Sequence, residues 1–171
     1  MASCATATTS IRRSGRSPKR CNEADTIEPA LATLLEQDYR NLEIIVVNDR
    51  STDGTADVLS NMQQQRDKSF RVITISELPQ GWLGKSHALQ KGADAATGEI
   101  LIFTDADIEF EQTTISRAVT ALKDKNVDHL CLIFQAIGGN WLLNGMILDA
   151  ASALLTLFRP WKAEDTQSKF Y

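Results

Sequence analysis

The sequence predicts an α/β fold, a mostly parallel sheet flanked by helices. Three observations carry that reading. Short apolar runs, Leu42–Asn48, Phe70–Ile75 and Ile100–Thr104, alternate with stretches whose apolar residues recur at helical spacing. Strand, helix and strand at that spacing imply right-handed parallel crossovers. The runs are rich in Ile, Val and Leu with little polar alternation, as in strands covered on both faces. At 171 residues, 43% hydrophobic and 23% charged, the chain suffices for one domain with a proper core.

After Asn22-Glu23, residues Ile27, Ala30, Leu31, Leu34 and Leu35 mark a helix ending near Gln37, with Asp25 and Glu28 suited to its positive end. Pro29 is expected in its first turn, where a missing N–H costs nothing. The second run ends at Asn48-Asp49, and the loop Ser51-Thr52-Asp53-Gly54-Thr55 opens a helix with Ala56, Val58, Leu59 and Met62 inward, capped by Thr52 or Asp53. The loop Leu78-Pro79-Gln80-Gly81-Trp82-Leu83-Gly84 then delivers Lys85 at the head of a helix, an anion-friendly position.

The strand Ile100–Thr104, expected to be buried on both faces, runs into Asp105-Ala106-Asp107. Open parallel sheets bind ligands at the carboxyl ends of their strands. Two carboxylates spaced by two repel unless a cation sits between them, and hard oxygen ligands with room for water suit Mg²⁺ or Mn²⁺. The alternative is an acidic turn capping the next helix, expected over Thr114–Lys123 with Ile115, Ala118, Val119 and Leu122 inward. Asp128–Phe134 reads as a further strand, before Gly138-Gly139 breaks the pattern.

Residues 1–22 hold Arg12, Arg13, Arg16, Lys19 and Arg20 and no acid, so the remainder carries 13 basic against 22 acidic residues, a net of −9. That excludes a nucleic-acid binder by bulk charge. Residues 1–21 read as a disordered or aberrant leader; an organellar transit peptide shares the composition, which alone does not establish targeting. Cys4, Cys21 and Cys131 are odd in number and unpatterned, favouring a reducing compartment. Residues 137–171 form an apolar segment. Trp141–Phe158 carries a buried-cost Asp149 near its middle, which argues against a span and leaves an interfacial helix or a plain core helix.

Two motifs point elsewhere and are set aside. Gly84-Lys85-Ser86 resembles a phosphate-binding loop, but Pro79 stands where the first glycine is needed and no strand feeds it. A metal-dependent phosphatase would use the first Asp of an Asp-x-Asp strand end as nucleophile. Here Ile108-Glu109 follows the pair, and the motif arrives after three strand–helix units rather than opening the fold.

Taken together and in order, Asn22-Glu23-Ala24, Leu34-Leu35-x-Gln37-x-Tyr39, Val46-Val47-Asn48-Asp49-Arg50-Ser51-Thr52-Asp53-Gly54-Thr55, Gly84-Lys85-x-x-Ala88-Leu89 and Thr104-Asp105-Ala106-Asp107 resemble the inverting family 2 glycosyltransferases. The resemblance covers roughly residues 22–159. It implies the GT-A fold, a Rossmann-like nucleotide-diphospho-sugar transferase sheet, with residues 22–136 as the nucleotide-sugar-binding domain. Gly81-Trp82-x-Gly84-Lys85 and Phe158-Arg159-Pro160-Trp161 further resemble the membrane-associated branch acting on lipid or hopanoid-type acceptors.

The resemblance also implies roles. Asn22, Glu23 and Asp49 would bind the ribose and base of a nucleotide sugar, and Lys85 would neutralise its diphosphate. Asp105 would lie near the ribose or the metal's waters, and Asp107 would ligate Mg²⁺ or Mn²⁺. Asp53 is expected to cap a helix, and His87 to be structural. The implied reaction moves a sugar to an acceptor hydroxyl, of a lipid or polyol, with inversion; the implied location is cytoplasmic, on the membrane's cytoplasmic face. Two departures stand out. Ser10–Arg20 is too polar for the family's opening buried strand, so the sheet is expected to lack one strand. No residue is assigned as catalytic base, since Glu164-Asp165 comes too early and reads as a solvated loop. The chain is therefore expected to be a donor-binding portion, with a non-catalytic nucleotide-binding remnant as the alternative.

Overall fold

Strand β2, Leu42–Asp49, is the most deeply buried element, and the fold is arranged around it. Ile45, Val46 and Val47 have no exposed surface, because alternate side chains of a central parallel strand meet helices on both sides. The computed structural model describes residues 5–12, 23–65 and 69–133, and in the last stretch Gly145, Met146, Asp149, Ser152, Ala153 and Thr156; for residues 5–12 and 23–25 it describes the backbone. Asn22 and Glu164-Asp165 lie outside these residues. The chain divides into two compact units, Met1–Cys131 and Leu132–Tyr171.

In the first unit the order is β1 (Ala5–Arg12), α1 (Glu23–Leu35), β2, α2 (Thr55–Gln65), β3 (Arg71–Ile75), α3 (Gly84–Ala95), β4 (Ile100–Asp105) and α4 (Thr114–Asp124). The four strands form one parallel sheet in the order β3-β2-β1-β4. Ile44 and Val46 of β2 pack with Ile27, Leu31 and Leu34 of α1, Leu59 and Met62 of α2, and Ile115 and Val119 of α4. Ile45 and Val47 point the other way, with Ile75 and Ala88 of α3. One face of the sheet thus carries α1, α2 and α4, the other α3.

Strand β1 overturns the expectation that the sheet lacks its first strand. Ala5–Arg12 pairs with β2 on one side and β4 on the other, and so occupies a central position. The run Ala-Thr-Ala-Thr-Thr-Ser-Ile is poor in large hydrophobes, which is why it reads as a leader. Threonine is nevertheless β-branched and favours extended backbone.

Three further expectations are corrected. Among the described strands β4 is an edge, not a strand buried on both faces: Ile100 and Ile102 face the α1–α2–α4 cluster, while Leu101 and Phe103 are exposed. The helix α3 packs on β1, β2 and β3 and leaves that outer face open. Pro29 lies two turns inside α1 rather than in its first turn. It sits on the exposed side of the helix. Residues 128–133 form no strand, and Leu132 and Ile133 are exposed.

The remaining elements match their patterns within a residue or two. Asp53 caps α2: its Oδ1 accepts the Thr55 amide at 3.2 Å and also the Thr55 hydroxyl. In the second unit Gly145, Met146, Asp149, Ser152, Ala153 and Thr156 are helical, and the rest of the expected Trp141–Phe158 helix lies outside the described residues. Among the described residues no helix is long and apolar enough to cross a membrane.

Candidate functional site

Both Asp49 and Asp105 are the last residues of their strands, β2 and β4, at the carboxyl edge of the sheet. Strand β1 lies between them, Arg12 in register with Asp49 and Ser10 with Asp105. Two strand spacings separate β2 from β4, about 10 Å. The two carboxylates also share a face. Asp49 continues the parity of Ile45 and Val47, which face α3, and Asp105 registers through Ser10 with Val47.

Lys85, the second residue of α3, reaches this edge. Its Nζ donates to Asp105 Oδ1 at 2.6 Å, and both side chains are about half exposed. The cation beside Asp105 in the structure is therefore Lys85. α3 starts without a side-chain cap and without an acid in its first turn, so its leading amides stay available to an anion.

Asp49 is almost wholly buried, at 1% exposure, and is held by its neighbour. Arg50 Nε donates to Oδ1 at 2.7 Å and Nη2 to Oδ2 at 2.9 Å, a bidentate fork. The fork is possible because Arg50 adopts a left-handed backbone, φ 56°, fixed by its amide donating to the Ile75 carbonyl at 3.1 Å. A non-glycine residue in that region carries strain of roughly 1–3 kcal/mol, typical of functional loops. The hydrogen bond to Asp49 raises the Arg50 pKa, with burial opposing and the carboxylate's charge adding. Each oxygen of Asp49 keeps a lone pair beyond the one Arg50 uses.

Asp107 is exposed two residues beyond β4 and makes no hydrogen bond or ion pair with Lys85, Asp105 or Asp49. Glu23 is the first residue of α1, the helix that follows β1. His87 is buried edge-on against Trp82, ring centroids 5.4 Å apart, and its Nδ1 has no hydrogen-bond partner. Among the described residues no group of three or more His, Cys, Asp and Glu side chains is arranged to hold a metal. The carboxylates of Asp105 and Asp107 are donors of the type that Mg²⁺ or Mn²⁺ takes one or two at a time, completing its shell with water and substrate phosphates.

Two participants escape sequence reading. Arg50 follows Asp49 directly, and opposite charge at adjacent positions was the available signal; only the left-handed backbone turns the guanidinium back. The carboxyl end of β1, Ser10 to Arg12, borders the site through a strand that composition hides.

Comparison with known proteins places the chain in a family. A model of the family "Glycosyl transferase family 2" matches residues 20–171. An uncharacterised glycosyltransferase of Nostoc is 30% identical over 119 residues, covering 70% of this chain and 35% of that protein. A poly-β-1,6-N-acetyl-D-glucosamine synthase of Staphylococcus epidermidis is 31% identical over 86 residues, 50% of this chain and 19% of that one. Among solved structures, a mannosyltransferase of Pyrobaculum calidifontis in complex with GDP-Man and Mn²⁺ superposes with a TM-score of 0.58 at 31% identity, over 71% of this chain and 33% of that one. The chain thus spans about a third or less of the length of these relatives.

Proposed function

The chain belongs to the family 2 glycosyltransferases, and from that premise we propose that its carboxyl sheet edge binds the nucleotide-diphosphate sugar of an inverting sugar transfer. The observation that carries the reading is the Lys85–Asp105 contact at the edge where β2 also ends in Asp49. It supports one lip with a buried acceptor on one side and a cation and carboxylate on the other.

In this reading Glu23 and Asp49 accept hydrogen bonds from the ribose and base, and the Asn22 amide can donate or accept there. Two carboxylate oxygens suit a base imide N–H and sugar hydroxyls. Lys85 shifts its ammonium from Asp105 toward the diphosphate, acting as a point charge near the uncapped start of α3. That releases Asp105, and Asp105 with Asp107 would hold Mg²⁺ or Mn²⁺. When bound, the ion offsets the charge that builds on the departing nucleoside diphosphate. The Pyrobaculum mannosyltransferase, solved with GDP-Man and Mn²⁺, supports this choice of donor class and ion. The acceptor is a lipid or polyol hydroxyl at a membrane surface, a reading supported by the Gly81-Trp82-x-Gly84-Lys85 motif. The base that deprotonates it is assigned to none of the described residues.

The test is calorimetric titration of UDP and GDP into the full chain with and without Mn²⁺. Binding of at least one nucleoside diphosphate should tighten several-fold with the metal and relax on chelation. Metal-independent binding, or hydrolysis of a simple phosphoester, would count against it.

A further inference from the structure

The segment that follows Asp105 and Asp107 is fastened to the end of α1 at four points. Thr33 Oγ1 accepts the Phe110 amide at 3.0 Å while donating to the Ala30 carbonyl at 2.8 Å. Gln37 Nε2 donates to the Glu111 carbonyl at 2.9 Å, and its Oε1 accepts the Ile115 amide at 3.2 Å. The Asp38 amide donates to the Gln112 carbonyl at 3.0 Å. The same Gln37 Nε2 lies 3.1 Å from the Thr33 carbonyl, so the carboxamide is itself oriented by the last turn of α1.

These bonds do more than close a helix. Thr113 makes no side-chain cap at the start of α4, and Gln37 supplies one from 78 residues away. Upstream, Asp105 is fixed by the β1 ladder. Ala106 and Phe110 pack against the α1–α2–α4 cluster. Only the backbone between Ala106 and Phe110 is left to vary, and from Asp107 to the first anchor the chain is three residues, at most about 10 Å. A carboxylate on so short a tether between two fixed points loses little further freedom when a ligand orders it.

We propose that Thr33 and Gln37 are positioning residues for Asp107, holding it where a divalent cation and a nucleoside diphosphate complete the site. This rests on the metal-dependent donor binding proposed above. The full chain is titrated with UDP in the presence and absence of Mn²⁺, and the ratio of the two affinities is the readout. Thr33→Val and Gln37→Ala should each lower the Mn²⁺-dependent affinity by up to about tenfold, the low end of the loss for a group bonded directly to a metal ligand, because both act on Asp107 through three residues of backbone. The metal-free UDP affinity should stay unchanged, and Thr33→Ser, which keeps the hydroxyl, should restore the ratio. If Gln37→Ala fails to fold, Gln37→Glu keeps the acceptor toward Ile115 and gives the same readout with half the clamp. Variants that melt earlier yet keep the wild-type ratio overturn the proposal and leave only a structural role. A wild-type chain whose UDP affinity ignores Mn²⁺ removes the donor-site reading and this proposal together, whereas a metal-dependent wild type with unaffected variants removes the clamp alone.

Discussion

Lys85 and Asp105 meet at 2.6 Å across twenty residues of sequence, joining the head of α3 to the end of β4. Both are half exposed, and such a pair adds only about 0–1 kcal/mol to stability. Its significance is therefore in what it leaves free to rearrange. Lys85→Ala should shift the urea midpoint little while lowering nucleoside-diphosphate affinity about tenfold or more, as removal of a charge-assisted contact does. Lys85→Arg should keep part of the affinity, since the charge is retained and the geometry is not. Unfolding curves and calorimetry on the same samples check both, and an unchanged affinity in Lys85→Ala would remove the lysine from the site.

The Asp49–Arg50 fork behaves differently, because one partner is buried. Arg50→Ala strands a carboxylate at 1% exposure, and a buried charged group without its partner costs roughly 2 kcal/mol or more. Arg50→Lys should recover less than half of that, since an ammonium cannot occupy both oxygens of Asp49 at once. Denaturant unfolding of the two variants against wild type measures the difference, and an Arg50→Lys chain as stable as wild type would show that the fork's second bond is dispensable.

A proline at Thr8 tests the position of β1. Thr8 registers with Ile45 on one side and Phe103 on the other, so proline deletes a ladder bond in the interior of the sheet. The expected loss is about 3 kcal/mol or more, enough to unfold a marginal domain. Circular dichroism on heating reads it directly; a Thr8→Pro chain as stable as wild type would mean that residues 5–12 do not pair on both sides.

Much of this architecture could be read from local pattern, and the failures share a cause. β2, β3 and the three helices α2 to α4 announce themselves because their periodicity is set by their own residues, as with Leu59 and Met62 or Ile115 and Val119. β1 is different. Its place is decided by two neighbours distant in sequence, and Thr-Ala alternation is too polar to reveal that. β4 fails the other way: Leu101 and Phe103 are as apolar as buried residues, and only the strand order shows that no described helix covers them. The site follows the same rule. Asp49, Lys85 and Asp105 stand at element ends, where sequence can point to them, whereas Arg50 acts through a backbone angle and Gln37 through partners 74 and 78 residues away.

The outer position of β4 has a practical side. A terminal strand with a ladder neighbour on only one side among the described residues, flanked by the uncovered rings and branches of Phe103 and Leu101, invites the same strand of another molecule to add on. Concentrated preparations will tend to clump through this seam. Dilution or mild detergent, rather than added salt, is the remedy that addresses an apolar cause.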